Sequence, residues 1–238
     1  MTASPRRRLF LDAFKYSFPV LLGYLAIGSA FGFLMADAGY PWWLALVMSV
    51  IMYAGAGQYI AVGLFAAGTT LWEAALVQFV VNARHIAYGL SMMNRFRNLG
   101  PLKYYVIFGM TDETFALLSS LPENYNNSER SRFMFLVTLL DHLYWITGGL
   151  IGAIAGSIIP FSTEGIGYAL TALFIVLMIE QVLRLRKPGI FIISSVFAVI
   201  CVLLLPTRAS LLAAMALSLA IGPWLPKTDK QLSQRGGE

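Results

Sequence analysis

The chain has 238 residues, 58% of them hydrophobic and 12% charged, with a mean hydropathy of +0.70. Soluble domains carry about 25% charged residues, so this composition leaves too little polar shell to enclose a core and excludes a water-soluble fold. A formal net charge of +5 raises nucleic acid as a partner, but the cations flank apolar runs, which points to a lipid bilayer and to no nucleic acid.

Arg6, Arg7, Arg8 and Lys15 precede the first apolar run. A cleaved signal peptide is the weaker reading of this start. The run from Phe18 continues through Met35 without a convincing small-residue cleavage site, so it reads as the first span. The predicted spans are 18–36, 42–67, 72–93, 104–121, 133–158, 166–185, 190–206 and 209–225. Each is close to the ~20 residues that a helix needs to cross the hydrocarbon layer. Gly39-Tyr40-Pro41, Gly68-Thr69-Thr70, Gly100-Pro101, Pro188-Gly189 and Pro206-Thr207 supply turn chemistry between them. The expected fold is an all-α integral membrane protein, a bundle of about eight hydrophobic segments, some of them broken or re-entrant. Residues 1–17 are expected as a cytoplasmic basic N-terminus, 18–225 as one transmembrane domain, and 226–238 as a cytoplasmic tail. Cys201 stands alone in an apolar run, so no intrachain disulfide is expected.

Topology follows from the cations. With the N-terminus inside, the inner segments hold the N-terminal cluster, Arg130, Arg132, Arg184, Arg186, Lys187, Lys227, Lys230 and Arg235. The outer loops hold Arg208 and one exception, the loop carrying Arg95, Arg97 and Lys103. Either the rule is overridden in that loop, or a segment within residues 42–121 is re-entrant and does not cross fully. Trp42, Trp43, Trp72 and Trp224 fall at span edges, where an amphipathic ring suits the interface. Gly28 with Gly32, and Gly148 with Gly152 and Gly156, recur every four residues and predict close helix contacts.

Several polar groups fall inside the apolar slab, where an ionised side chain costs roughly 2.5 to 3.5 kcal/mol on insertion scales. The third span holds Asn82, Arg84, His85, Tyr88 and Ser91, and the fourth holds Thr111-Asp112-Glu113-Thr114 about halfway along. Adjacent carboxylates repel, so one of them needs an internal cation. Arg84 lies deep in a span and is predicted to pair with Asp112 or Glu113. In the fifth span Thr138, Asp141, His142 and Trp145 follow i, i+3, i+4, i+7 and share one face. Plainer readings exist for each: an ion pair can simply hold helices in register, and Asp141 with His142 can be a local pair or stand at a helix start near headgroups. Carboxylates and His inside a bundle are also the parts of proton relays. Finally, Tyr53-Ala-Gly55-Ala-Gly57-Gln58-Tyr59 places two glycines and a Gln at mid-span. Close packing accounts for glycine alone, but a helix unwound there presents free N–H groups to a substrate carboxylate.

Four stretches together resemble the AzlC family of branched-chain amino acid exporters: Phe18-Pro19 to Gly32, Tyr53 to Tyr59, Arg84-His85-Ile-Ala-Tyr88-Gly-Leu, and Thr111-Asp112-Glu113-Thr114-Phe115-Ala116. The resemblance implies export of valine, leucine or isoleucine, with methionine as a further candidate, across the bacterial inner membrane with both termini cytoplasmic. It also implies a small AzlD-type (YgaH-like) membrane partner, and no cofactor. One departure is Gly57, where many relatives carry Ser, which bears on substrate range.

The chain holds no G-x-x-x-x-G-K-[ST] loop, so it does not drive itself with ATP. Neither H-E-x-x-H nor G-x-S-x-G occurs and Cys201 has no evident base, which argues against a membrane-embedded enzyme with catalytic or metal residues. A non-transporting structural subunit would not need the charged cluster. The reading adopted is a secondary transporter, expected to be coupled to the proton gradient, although a uniporter would also need polar groups in its pathway. Gly57, Gln58, Asn82 and Thr111 are its candidate substrate contacts, and His85, Asp112, Glu113, Asp141 and His142 its candidate proton carriers. Arg84 either keeps the acidic pair ionised or attracts the substrate carboxylate.

Overall fold

Two apolar runs are long enough to cross a bilayer as single helices, and the computed structural model builds both as such. The structure describes residues 5–97, 99–121, 127–158, 175, 179, 188–204, 213 and 217. Among the described residues the helices are α1 (Pro5–Asp37), α2 (Trp42–Ile51), α3 (Ala56–Ala66), α4 (Leu71–Asn82), α5 (Arg84–Phe96), α6 (Leu102–Phe108), α7 (Asp112–Ser119), α8 (Asn127–Ile158) and α9 (Pro188–Leu204). By Cα packing the chain divides into two compact units, Met1–Ala169 and Leu170–Glu238.

Within the first unit α1 and α8 form the spine. With 33 and 32 residues, each is about 50 Å long at 1.5 Å per residue. Their contact is made by backbone on backbone. A β-carbon on Gly28 would stand 3.1 Å from the Gly149 nitrogen and the Trp145 carbonyl. One on Gly32 would collide with the Gly149 carbonyl and the Ala153 amide, and one on Gly152 with the Ser29 carbonyl. Without a hydrophobic force between helices in lipid, such approach supplies the dispersion contact that holds them. The glycine stripe predicted from the sequence is this contact.

The expected spans 42–67, 72–93 and 104–121 are each divided into two short helices. The first division is a break. After Ile51 the Tyr53 amide reaches back five residues to the Met48 carbonyl at 3.3 Å. Tyr53 then takes φ +37° and Gly55 φ +44°. An aromatic residue at positive φ costs of order 1–3 kcal/mol, so the surroundings must hold this turn open. The third division follows Gly109, where a β-carbon would collide with the Thr138 methyl; Thr111 is extended (φ −82°, ψ 176°) and starts α7. The second is a tight kink. Ala83 keeps helical angles (φ −55°, ψ −25°), but its amide bonds the Val80 carbonyl, a three-residue reach.

Thus α1 and α8 are the described helices long and apolar enough to cross a membrane, while α2, α3, α4 and the apolar part of α9 are shorter apolar helices. Outward faces are apolar: Leu22, Ile51, Trp72 and Phe79 are exposed, as are Trp42 and Trp43. In the second unit α9 covers most of the expected span 190–206. Apart from four single positions, spans 166–185 and 209–225 lie outside the described residues, as does the tail 226–238.

The helix contact yields a direct expectation. Gly152→Leu places bulk against the Ser29 backbone and should cost at least about 3 kcal/mol, in the range of severe overpacking. Gly23→Ala meets nothing within 4 Å and should be neutral or slightly stabilising, since Ala is the better helix former. Thermal unfolding of the purified protein in detergent checks both.

Candidate functional site

The short helix α7 organises the polar centre. Its first turn carries both carboxylates, which suits the positive end of the helix dipole. Successive helical residues are rotated by about 100°, so the two acids face different elements. Asp112 turns to α5: its Oδ2 lies 2.8 Å from Arg84 Nη1, and its Oδ1 accepts from the Tyr88 hydroxyl at 2.6 Å. Glu113 turns to α1, where the Tyr24 hydroxyl stands 2.8 Å from its Oε2. The same hydroxyl stands 2.6 Å from Thr111 Oγ1. Thr111 is the N-cap of α7 and accepts from the Thr114 amide at 3.2 Å. Its hydroxyl also bonds Thr114 Oγ1 at 3.1 Å, and Thr114 donates to Asp141 Oδ2 on α8 at 2.9 Å. The far end of α7 is anchored as well, since Tyr16 donates to the Leu117 carbonyl at 3.0 Å and Arg95 donates to that of Leu118.

Because α8 starts at Asn127, Asp141 stands near the middle of a long helix and not in its first turns. Thr138, Asp141, His142 and Trp145 are all buried, as their shared face requires. Asp141 is fully buried, and its Oδ1 finds no hydrogen-bond partner. No ion pair reaches it among the described residues. A charge in that position is stable only against a cation or as the neutral acid.

The α2–α3 break abuts this face. Gln58 Oε1 accepts from the freed Ala54 amide at 3.2 Å and from Trp145 Nε1 at 2.8 Å. Its Nε2 is left without a partner, as is the Tyr53 hydroxyl. The Tyr53 ring stacks on His142 at 4.2 Å. His142 in turn has both nitrogens engaged: Nε2 lies 3.1 Å from the Ser49 carbonyl and Nδ1 2.9 Å from the Tyr105 hydroxyl. A carbonyl only accepts, so Nε2 carries hydrogen and Nδ1 accepts from Tyr105; the neutral ring is satisfied. Behind the break, Gln78 Nε2 donates to the Gly57 carbonyl at 2.7 Å, and Asn82 Nδ2 donates to Gln78 Oε1 at 3.0 Å. A β-carbon on Gly57 would lie 2.9 Å from Gln78 Oε1 and 3.0 Å from Asn82 Nδ2, so a Ser there would displace that amide pair.

Of the residues singled out from the sequence, Gln58, Thr111, Glu113, Asp141 and His142 therefore line one connected region. Arg84 and Asp112 form a separate pair at its edge. Asn82 and Gly57 meet through Gln78. His85 is half-buried beside Tyr88, with ring centres 5.8 Å apart, and its contacts among the described residues do not reach the Asp141 region. Tyr24, Gln78, Thr114, Tyr88 and Tyr105 were not among the sequence candidates as site residues. Tyr24 and Thr114 stand inside recognised stretches, and Gln78 stands one helical turn before Asn82, which is the signal that could have found them. Among the described residues no group of His, Cys, Asp and Glu is placed to hold a metal ion.

The Arg84–Asp112 pair is partly open, with side chains 33% and 17% exposed. Arg84→Gln or Asp112→Asn alone should each cost about 1–2 kcal/mol, because the remaining charge loses its partner in a poorly hydrated place. The double variant should recover part of the loss. A double-mutant cycle on thermal stability measures the coupling.

Residues 19–159 match the family model described as AzlC protein. An uncharacterized membrane protein of Helicobacter pylori is 41% identical over 210 residues, 88% of this chain and 92% of that one. The branched-chain amino acid transport protein AzlC of Bacillus subtilis is 39% identical over 180 residues, 75% of this chain and 70% of that protein. The inner membrane protein YgaZ of Escherichia coli is 30% identical over 187 residues, 76% of each chain. No solved structure matches. With more than half its length matched by the family model and relatives of this identity aligned over most of theirs, the chain is a membrane protein of the AzlC family.

Proposed function

We propose that the chain is a secondary transporter that exports branched-chain amino acids such as valine, with methionine as a further substrate, across the bacterial inner membrane. In this reading the protein is multi-pass with both termini cytoplasmic, works with a small AzlD-type membrane subunit, and is not an enzyme. The Bacillus subtilis relative is named a branched-chain amino acid transport protein, which supports the substrate class. The observation that carries the reading is a set of buried polar atoms without partners: Asp141 Oδ1, Tyr53 Oη and Gln58 Nε2. They border the α2–α3 break and the middle of α8. Buried polar groups are normally satisfied, and these three match the two ends of a zwitterion. Asp141 Oδ1 accepts from the α-ammonium, while Gln58 Nε2 and the Tyr53 hydroxyl donate to the α-carboxylate. A broken helix at such a site is the arrangement that secondary transporters use.

The same chemistry supplies coupling. Asp141 buried without a cation tolerates either a substrate ammonium or a proton, and one excludes the other. A proton arriving from outside then displaces the amino acid, and its exit inward resets the site, which is antiport. Arg84 and Asp112 act as a clamp that positions α7, and His142 as a junction between α2, α6 and α8. Gly57, Gln78 and Asn82 set the stance of α3. The proton-carrying role is thereby narrowed to Glu113 and Asp141.

Counterflow of labelled valine into proteoliposomes, with and without the small subunit, tests the proposal. Asp141→Asn removes the ammonium partner and should weaken half-saturation by at least about thirtyfold, as loss of a buried charge partner costs several kcal/mol. Gln58→Leu should weaken it less, by about tenfold for one hydrogen bond to a charged group. A wild-type chain that moves no amino acid with its subunit present would end the transport reading. Wild-type counterflow in folded Asp141→Asn would end the assignment of the site.

A further inference from the structure

Glu113 and Asp141 lie on different helices, yet an unbroken file of hydroxyl oxygens joins them. From Glu113 Oε2 it runs to Tyr24 Oη (2.8 Å), Thr111 Oγ1 (2.6 Å), Thr114 Oγ1 (3.1 Å) and Asp141 Oδ2 (2.9 Å). Every member of the file between the carboxyls is buried. The two ends differ: Glu113 is half-buried at the start of α7, whereas Asp141 is fully buried.

Counting hydrogens gives the file a property that none of its members has alone. It contains four oxygen–oxygen contacts but three hydroxyls, and a hydroxyl has one hydrogen to give. Thr111 already accepts from the Thr114 amide, so its remaining lone pair suits a hydrogen from Tyr24. The hydrogen missing from the set is a carboxyl proton. It completes the file from either end, on Glu113 with every hydroxyl pointing toward Asp141, or on Asp141 with every hydroxyl pointing back. Hydrogen bonds aligned in one direction polarise each other, which favours the two aligned states over mixed ones.

We propose that Tyr24, Thr111 and Thr114 form a proton relay that carries one proton between Glu113 and the buried Asp141. The relay presupposes the proton-coupled exchange proposed above and names its route. In the inward step Glu113 gives its carboxyl proton to the Tyr24 oxygen while Tyr24 passes its own hydrogen to Thr111. Thr111 passes its hydrogen to Thr114, and Thr114 passes its hydrogen to the Asp141 carboxylate. Each hydroxyl loses one hydrogen and gains one, Glu113 ends ionised, and Asp141 ends neutral; nothing is oxidised or reduced. The ionisable groups close enough to Asp141 to sense its charge are Glu113 on α7, Tyr24 on α1, Tyr53 in the α2–α3 break and Tyr144 on α8 itself. Tyr144 is not a member of the file, and the Tyr53 hydroxyl borders it beside Thr114 and Tyr24. No Lys or Arg among the described residues pairs with Asp141 and so fixes it as the anion.

Two modes of transport in the same proteoliposomes separate the relay from the site. Valine counterflow exchanges one amino acid for another and needs no proton to reach Asp141. Valine movement driven by an imposed pH gradient does. Tyr24→Phe and Thr114→Val should keep counterflow near the wild-type rate while gradient-driven flux falls about a hundredfold, the lower end of the range for loss of a proton-transfer group. Thr114→Ser, which restores the hydroxyl, should restore the flux. Replacing H2O by D2O should slow the gradient-driven mode of the unmodified protein and leave counterflow unchanged, a readout that needs no variant to fold. Undiminished gradient-driven flux in both folded variants, or parallel loss of both modes in them, would overturn the relay. So would an equal isotope effect on both modes. Wild-type protein without counterflow would instead refute the transport reading, and counterflow without any pH-driven flux would refute proton coupling itself.

Discussion

Backbone contact between α1 and α8 sets the position of everything else in the first unit. Gly28 and Gly32 admit the backbone of Gly149 and Ala153, and Gly152 admits that of Ser29. One helical turn before Gly28 stands Tyr24, and one turn before Gly149 stands Trp145; their rings meet edge to face at 5.3 Å. Asp141 lies a further turn back along α8. Bulk at the glycines would push the two helices apart and take Tyr24 away from the α7–α8 region. In lipid no hydrophobic gain would offset that separation, so the glycines fix the distance at which the polar centre can assemble.

The broken helices depend on this frame in turn. A helix end buried away from water must find partners for its freed backbone groups. The spine supplies them: His142 donates to the Ser49 carbonyl in the last turn of α2, and Tyr16 to that of Leu117 in the last turn of α7. Gln58 does both tasks at once, holding the Ala54 amide and the Trp145 indole on a single oxygen. What this accounting leaves over is informative. Of the six leftover atoms among the described residues, those at Tyr53, Gln58 and Asp141 border the break with the strained Tyr53 backbone, and the others are on Ser49, Asn82 and Arg84. Strain of that kind persists where the surroundings over-determine it, and it concentrates at functional positions.

Much of this was legible before any coordinates. The glycine stripe, the break near Gly55, the Arg84–acid pair and the common face of Asp141, His142 and Trp145 each follow from a local rule: spacing, residue type, or the cost of a buried charge. The kink at Ala83 was not legible, because neither Gly nor Pro marks it. It arises where the Asn82 side chain bonds the Gln78 carbonyl beside the helix ladder and the Ala83 amide shifts to Val80, a competition set by which groups α3 presents. Tyr24 was hidden for a related reason. A tyrosine in an apolar run reads as packing or as an interface residue, and only the approach of α7 to α1 shows what its hydroxyl meets. Thr114 reads in the sequence as one of four polar residues halfway along a span, and only the packing of α8 brings Asp141 to it. Pairings within one turn of helix are written in the sequence, whereas those across three helices are not.

The unequal treatment of the two adjacent acids is the last consequence of this arrangement. Asp112 is gripped by a guanidinium and a phenol at 2.8 and 2.6 Å, which ties α7 to α5. Asp141, at the other end of the hydroxyl file, has no ion pair among the described residues. A fixed cation at Asp141 would hold it ionised and close it to both proton and ammonium. A missing cation at Asp112 would let the first turn of α7 drift, and contacts of 2.6 to 3.1 Å along the file tolerate little drift before they cease to be hydrogen bonds. On the proposed reading, Arg84 stands on the acid that positions α7, while no Lys or Arg among the described residues pairs with Asp141, the acid proposed to exchange a proton for an ammonium.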